Sequence, residues 1–320
     1  MSENRILPTS TPQHHRALAV SAGWTLLLLF LGSVVHATGS SLACPDWPTC
    51  YGTMVPTMVG GIFWEHLHRL VAGGLILMWL LTGWLMRSEG APGGVLRKWG
   101  WGLVLLLVQA VFGGVTVLLK LPPAVSTTHL TLAFLFLGLT VALAVETSPR
   151  RFEAAAMSAP LRSKLRGWGT TAAALVLAQS VLGALVRHLG AGMACPDVPL
   201  CFGRVLPPLG QPMVAVHFAH RAIAVLTGLV VIGAALAILR HGPRGSVRRL
   251  TFGAIGLVLA QIGLGWASVA GRLAVAPVSL HTLGAASLLA LTVALSAWGR
   301  GPAYRASALP DRGQSRSPAP

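Results

Sequence analysis

Eight stretches of mostly apolar residues, each long enough to cross a lipid bilayer, leave this chain little choice of architecture. They run approximately over 17–36, 62–86, 98–119, 126–145, 166–187, 213–239, 250–271 and 277–298. A helix needs about 20 apolar residues to span the hydrocarbon core, and there it must satisfy its own backbone polar groups. Composition agrees: 54% of the 320 residues are apolar, 10% are charged, and mean hydropathy is +0.70. A net charge of +16 would ordinarily suggest a nucleic-acid partner. Here the cations stand between long uncharged runs. That excludes a disordered chain and argues against a soluble basic protein, so no nucleic-acid partner is expected. The expected fold is all-α and integral to the membrane, with eight transmembrane helices and the lipid bilayer as its surroundings.

The cations also orient the chain. With the N-terminus in the cytoplasm, eighteen of the 24 Lys and Arg residues fall in cytoplasmic segments. Four (Lys120, Arg187, Arg204 and Arg272) fall in outer segments, and Arg69 and Arg221 lie inside helices. Basic loops stay inside, so both termini are expected to be cytoplasmic. A signal peptide is the competing reading of the first span, because Leu42-Ala43-Cys44 looks like a lipoprotein cleavage site. A polar stretch, 38–41, separates that site from the apolar run. A similar Met193-Ala194-Cys195 recurs in mid-chain, where no signal peptide can stand.

The chain repeats itself at an offset of 151–152 residues. Residues 32–52 match 183–203 at ten of 21 positions, including Cys44-Pro-Asp-Trp-Pro-Thr-Cys50 against Cys195-Pro-Asp-Val-Pro-Leu-Cys201. In the same register His68-Arg69 aligns with His220-Arg221, Gln109 with Gln261, and His129 with His281. Spaced landmarks in one register indicate duplication. Each half holds four helices, so both enter the membrane in the same sense, as a parallel repeat. The expectation is two pseudo-symmetric four-helix bundles, 1–155 and 156–300, followed by a disordered cytoplasmic tail, 301–320, rich in Pro, Ser and Arg.

Among eleven histidines, four stand out. His68, His129, His220 and His281 each lie near the outer start of a helix, so each half offers two imidazoles from two helices at one depth. Ionisable residues in membrane helices are costly and usually functional. Two facing imidazoles suit the axial positions of a haem iron, whereas a closed zinc site needs more ligands than one such pair. A lone histidine would more simply hydrogen-bond a neighbouring helix; recurrence of the pair favours haem. Glu65 shares a helical face with His68, and His217 takes its place beside His220. A partly desolvated carboxyl there suits proton transfer, and a carboxylate favoured by the helix dipole is the rival explanation.

Arg69 and Arg221 directly follow the histidines and are expected to meet haem propionates, with snorkelling toward the headgroups as the alternative. Gln109 and Gln261, near Gly113-Gly114 and Gly263 and Gly265, read as interhelical hydrogen-bonding residues at close helix contacts. The cysteines form two C-x5-C loops on an oxidising face, so Cys44–Cys50 and Cys195–Cys201 can each close a disulfide. A structural staple is the simpler reading for the second. For the first, beside Glu65, staple and redox pair both stand.

Together these residues resemble the haem A synthase family, whose marks are a C-P-D-W-P loop, an E-x-x-H-R motif and paired histidines in both halves. Here they read Cys44-Pro45-Asp46-Trp47-Pro48, Glu65-His66-Leu67-His68-Arg69, His129, His220 and His281. The match spans roughly 17–298. The resemblance implies oxidation of a ring methyl of haem O to a formyl group, giving haem A for terminal oxidases. It implies a substrate site at His68 and His129 in the N-terminal half, with Glu65 as the essential carboxylate. It also implies a haem b cofactor on His220 and His281 in the C-terminal half. Haem O synthase and cytochrome oxidase assembly factors are implied partners, the plasma membrane the location, with the haem sites toward the extracytoplasmic face; a homo-oligomer stays open. The family expects an arginine near position 36, where this chain has His36, while Arg187 holds the matching place in the second half. A di-haem b electron-transfer protein is the alternative, and a transporter on parallel repeats a more distant one.

Overall fold

The computed structural model describes residues 11–300. The proposed tail, 301–320, lies outside them. Among the described residues the fold is all-helical, with eight helices long and apolar enough to cross a membrane. These are α1 (Gln13–Ala37), α2 (Gly60–Ser88), α3 (Gly93–Leu118), α4 (Pro123–Glu146), α6 (Ala159–His188), α7 (Pro212–Leu239), α8 (Gly245–Ala270) and α9 (Val275–Trp298). A single-turn helix, α5 (Phe152–Ala155), lies in the connection between α4 and α6. The chain is therefore a multi-pass membrane protein.

Several helices outrun their apolar segments at the basic end. α6 begins at Ala159 rather than near 166, because the Ser158 hydroxyl accepts the Leu161 amide and caps its first turn. Pro160 at that first turn costs no hydrogen bond. The greasy run marks the span, and the cap marks the helix.

Packing sorts the helices into an inner and an outer set. In the first half α1 packs on α2 and α4, α2 on α3, and α3 on α4; in the second, α6 packs on α7 and α9, α7 on α8, and α8 on α9. Across the middle, α9 meets α1 and α4, and α4 also meets α6. A central cluster there includes Leu29, Phe134, Leu137, Val176, Val231, Val258, Ala286 and Leu289. The outer helices turn large apolar side chains such as Leu77, Trp84, Trp101, Leu229 and Leu259 away from the protein, as lipid-facing surfaces require.

α2 and α3 are locked by two interleaved tryptophans. Trp79 Nε1 donates to the Trp99 carbonyl at 3.2 Å, and Trp99 Nε1 donates to the Trp79 carbonyl at 2.9 Å. Each indole lies over a glycine of the partner helix: a Cβ on Gly83 would stand 2.2 Å from Trp99 Cζ2, and one on Gly102 2.4 Å from Trp79 Cζ2. Small residues permit this close approach in a membrane, where packing and hydrogen bonds replace a hydrophobic driving force.

Candidate functional site

Both cysteine loops fold the same way. Cys44 is bonded to Cys50 and Cys195 to Cys201. Asp46 accepts the amides of Tyr51 at 2.6 Å and Gly52 at 2.8 Å, together with the Thr49 hydroxyl. Asp197 accepts Phe202 and Gly203, each at 2.7 Å. The Thr49 hydroxyl, then the Gly52 and Tyr51 amides, lower the Asp46 carboxyl to about 2. All four cysteines are buried. An exchanging thiol needs access to sulfur, so this burial favours the staple for both pairs, including the one left open from sequence.

The helix arginines clamp these loops. Arg69 Nη1 donates to the carbonyls of Asp46 (2.7 Å) and Thr49 (2.5 Å), and Nη2 to the Cys44 carbonyl (3.2 Å) and Glu65 Oε1 (2.6 Å). Arg221 reaches the carbonyls of Asp197, Leu200 and Cys195, each at 2.7 Å, and its Nε donates to His217 Nε2 at 3.2 Å. Both arginines, expected from sequence to meet propionates, thus have most of their donors turned to the loops. Three terminal N–H groups of each are taken by loop carbonyls, since residue i+1 points away from the histidine face and toward the loop above it.

Glu65 and His217 prove to be counterparts. Glu65, 4% exposed, accepts the Cys44 amide at Oε2 (2.8 Å) and Arg69 at Oε1. His217 meets the same two donors, with the Cys195 amide 3.3 Å from Nδ1 and Arg221 Nε at Nε2. Each side chain ties its loop to its helix through one amide and one guanidinium. A carboxylate accepts at both oxygens, whereas neutral imidazole accepts at one nitrogen only, so the first clamp is the better satisfied. His66, which sequence reasoning passed over, lies beside the first disulfide and bonds the Met54 carbonyl through Nε2 at 3.0 Å. Its second-half counterpart, Phe218, packs against the cluster of Cys195, Cys201 and Val214.

The four singled-out histidines share one setting. Each ring lies edge-on to a glycine of the preceding transmembrane helix. A Cβ would stand 3.2 Å from His68 Cε1 if added to Gly32, and 3.1 Å from His129 Cε1 if added to Gly113. It would stand 2.9 Å from His220 Cε1 on Gly183, and 3.4 Å from His281 Cε1 on Gly265. The structure brings His68 and His129 into electrostatic range of each other, and likewise His220 and His281.

Hydrogen bonds fix some of the rings. His129 Nδ1 lies 3.1 Å from the Gln109 carbonyl, to which it can only donate, and the Gln109 amide nitrogen stands 3.5 Å from Nε2. Gln261 donates to the His281 carbonyl at 3.0 Å, as expected of an interhelical glutamine. Gln179, which sequence alone did not reveal, stands 2.9 Å from both Nδ1 and the carbonyl of His220. Nδ1 of His68 and of His281 is buried without a partner, and Nε2 of His68, His220 and His281 makes no hydrogen bond to the described residues. Buried imidazoles with an uncommitted nitrogen fit metal ligation, and at His129 and His220 a glutamine contact at Nδ1 also orients the ring. His36 and His188, one from each half, meet edge to face at 5.5 Å, and Arg187 donates to Ser33 of the first half.

The fold and site thus define a class: an eight-helix membrane protein that presents two pairs of glycine-seated imidazoles beneath two clamped, disulfide-closed loops. The family model for the cytochrome oxidase assembly protein, COX15-CtaA, matches residues 15–61 and 57–293, and the chain belongs to this family. Among curated relatives, a protein of Shewanella oneidensis named "Heme A synthase" is 28% identical, covering 87% of this chain and 94% of its own length. A "Heme A synthase" of Symbiobacterium thermophilum is 31% identical over 83% of this chain and 89% of its own. One from Geobacillus kaustophilus is 30% identical over 75% and 78%.

Proposed function

We propose that the chain is a haem A synthase, an oxidoreductase of the plasma membrane that converts haem O to haem A by oxidising one ring methyl to a formyl group. The observation that carries the reading is the fourfold repetition of an imidazole seated on a glycine, in two pairs, one pair per half. In this reading the N-terminal half, 1–155, holds haem O between His68 and His129. The C-terminal half, 156–300, holds haem b between His220 and His281. Haem b, when bound, supplies electron transfer, which asks of the protein only ligands and burial. The two halves are read as pseudo-symmetric bundles in parallel sense, with both termini cytoplasmic and the imidazoles toward the outer face. Haem O synthase and cytochrome oxidase assembly factors remain the expected partners.

The chain's own residues have separable tasks. The glycine seats fix the ring planes of His68 and His129. Glu65 holds Arg69 and the Cys44 amide, and so sets the first loop over the substrate site. This positioning role is what its contacts support, with substrate orientation as the consequence. Arg69 carries the loop's carbonyls, and the Cys44–Cys50 disulfide closes it against water. Exclusion of water protects a reactive centre from side reactions.

Co-expression with a haem O synthase, followed by haem extraction, tests the reading. Haem A or its hydroxylated precursor is expected; haem B alone would overturn the enzyme and favour the di-haem electron carrier. Glu65→Gln keeps an acceptor for the Cys44 amide but loses the charge opposite Arg69. Its haem A yield is expected to fall at least tenfold; an unchanged rate would remove Glu65 from the function.

A further inference from the structure

Arg187 is a cation whose position the site described so far does not use. It stands one residue before the end of α6, and its guanidinium turns inward rather than toward the outer surface. Nη2 donates to Ser33 Oγ at 2.5 Å and approaches the Ser33 carbonyl at 3.4 Å. Ser33, 2% exposed, belongs to α1 of the other half, and its hydroxyl donates to Thr282 Oγ1 at 3.1 Å. Thr282 directly follows the ligand candidate His281, and Ser33 directly follows Gly32, the seat of His68. A parallel link runs beside it, where His188 Nδ1 lies 3.0 Å from Thr127 Oγ1, two residues before His129. Arg187 therefore sits in the seam between the halves, among residues adjoining three of the four imidazoles, and within electrostatic range of His281.

No carboxylate answers this charge. Among the described residues Glu65 pairs with Arg69, Glu89 with His14 and Glu146 with Lys98. Asp46 and Asp197 are taken up by their own loop amides, and Glu153 faces the start of α8. A cation turned into protein without a counter-charge is strongly unfavourable, and the dipole at a helix C-terminus offsets only a small part of that cost. Two serine contacts leave most of the guanidinium's five donors for something else. Haem carries its anionic carboxylates at one edge, and Arg221, the residue first expected to meet them, gives four of its five donors to its loop and His217.

We infer that Arg187 receives a propionate carboxylate of the haem held by His220 and His281, and that its Ser33 contact ties this haem to the first half. The inference rests on the haem reading above. At the matching place in the first half stands His36, which lacks a fixed charge, so the two sites differ in how they hold an anion.

The test is a potentiometric titration of the low-spin haem in the full-length protein, purified in detergent from cells lacking haem O synthase. A nearby cation opposes the extra positive charge of ferric iron, so R187Q is expected to lower the midpoint potential, and R187K to restore it. S33A, which frees the guanidinium without removing it, is expected to retain haem and shift the midpoint less than R187Q. Full haem content with an unshifted midpoint in R187Q overturns the inference. Equal loss of haem from R187Q and R187K also overturns it, since the charge would then not matter. A wild-type protein without low-spin haem would instead sink the haem reading beneath it.

Discussion

At the scale of single residues, the two halves solve one problem with different chemistry. Glu65 and His217 occupy aligned positions and meet the same pair of donors, yet only the carboxylate can accept both. His217→Glu is therefore expected to raise the midpoint of thermal unfolding, by about 1 kcal/mol of added stability, the worth of a typical buried hydrogen bond. An unchanged or lower midpoint would show that His217 is already satisfied. Asp46 gives a pH prediction. Its folded value, about 2, lies below the ordinary carboxylate value, so its contribution is complete above that ordinary value and fades as pH falls through about 2. Protection of the 51–52 amides from hydrogen exchange should persist on acidification to near that point, and Asp46→Asn should abolish the dependence.

The glycine seats give a graded series. The Cβ contact is tightest at Gly183 (2.9 Å), intermediate at Gly113 and Gly32, and ordinary at Gly265 (3.4 Å). Gly183→Ala should displace His220 and lower haem retention most, Gly265→Ala least; haem-to-protein ratios after purification read the order directly. The sequence made the histidines legible because they recur. It concealed the seats of His68 and His220, because Gly32 and Gly183 sit on helices far from them along the chain. Arg69 and Arg221 were legible as a recurring pair, but not their targets. Those targets are backbone carbonyls of a loop whose fold depends on the arginines themselves.

At the scale of elements, α2 and α3 depend on the reciprocal tryptophans. A methyl group at Gly83 or Gly102 would overlap an indole outright, so G83A and G102A should each destabilise by about 1–3 kcal/mol, the usual cost of overpacking. Gly100, on the same helix as Gly102, has nothing within 4 Å of its would-be Cβ, and G100A is the control expected not to lower the unfolding midpoint. Apolar length alone located all eight spans. It placed helix starts less well where capping decides, as Ser158 shows for α6. Hydropathy also carries no information on which helices are inner. α1 and α8 read alike as greasy runs, yet α1 lies at the seam and α8 at the rim.

At the scale of the molecule, the basic loops make a topological prediction. A periplasm-active reporter fused within 148–158 or at 242–244 should be silent, and one fused within 204–211 should be active. The reverse pattern would invert the assignment. Across the middle, α1 meets α9, α4 meets α6 and α4 meets α9, contacts that the proposed pair of like four-helix halves would make about a shared axis. A symmetric pair of identical subunits would be bound to carry the same residues at both sites, and so the same occupant twice. Joining the copies in one gene releases that constraint. Glu65 can diverge from His217, His66 from Phe218, and His36 from Arg187, while the helical frame stays shared. On the proposed function, duplication would let one pocket specialise in turnover and the other in supply, without either having to be built anew.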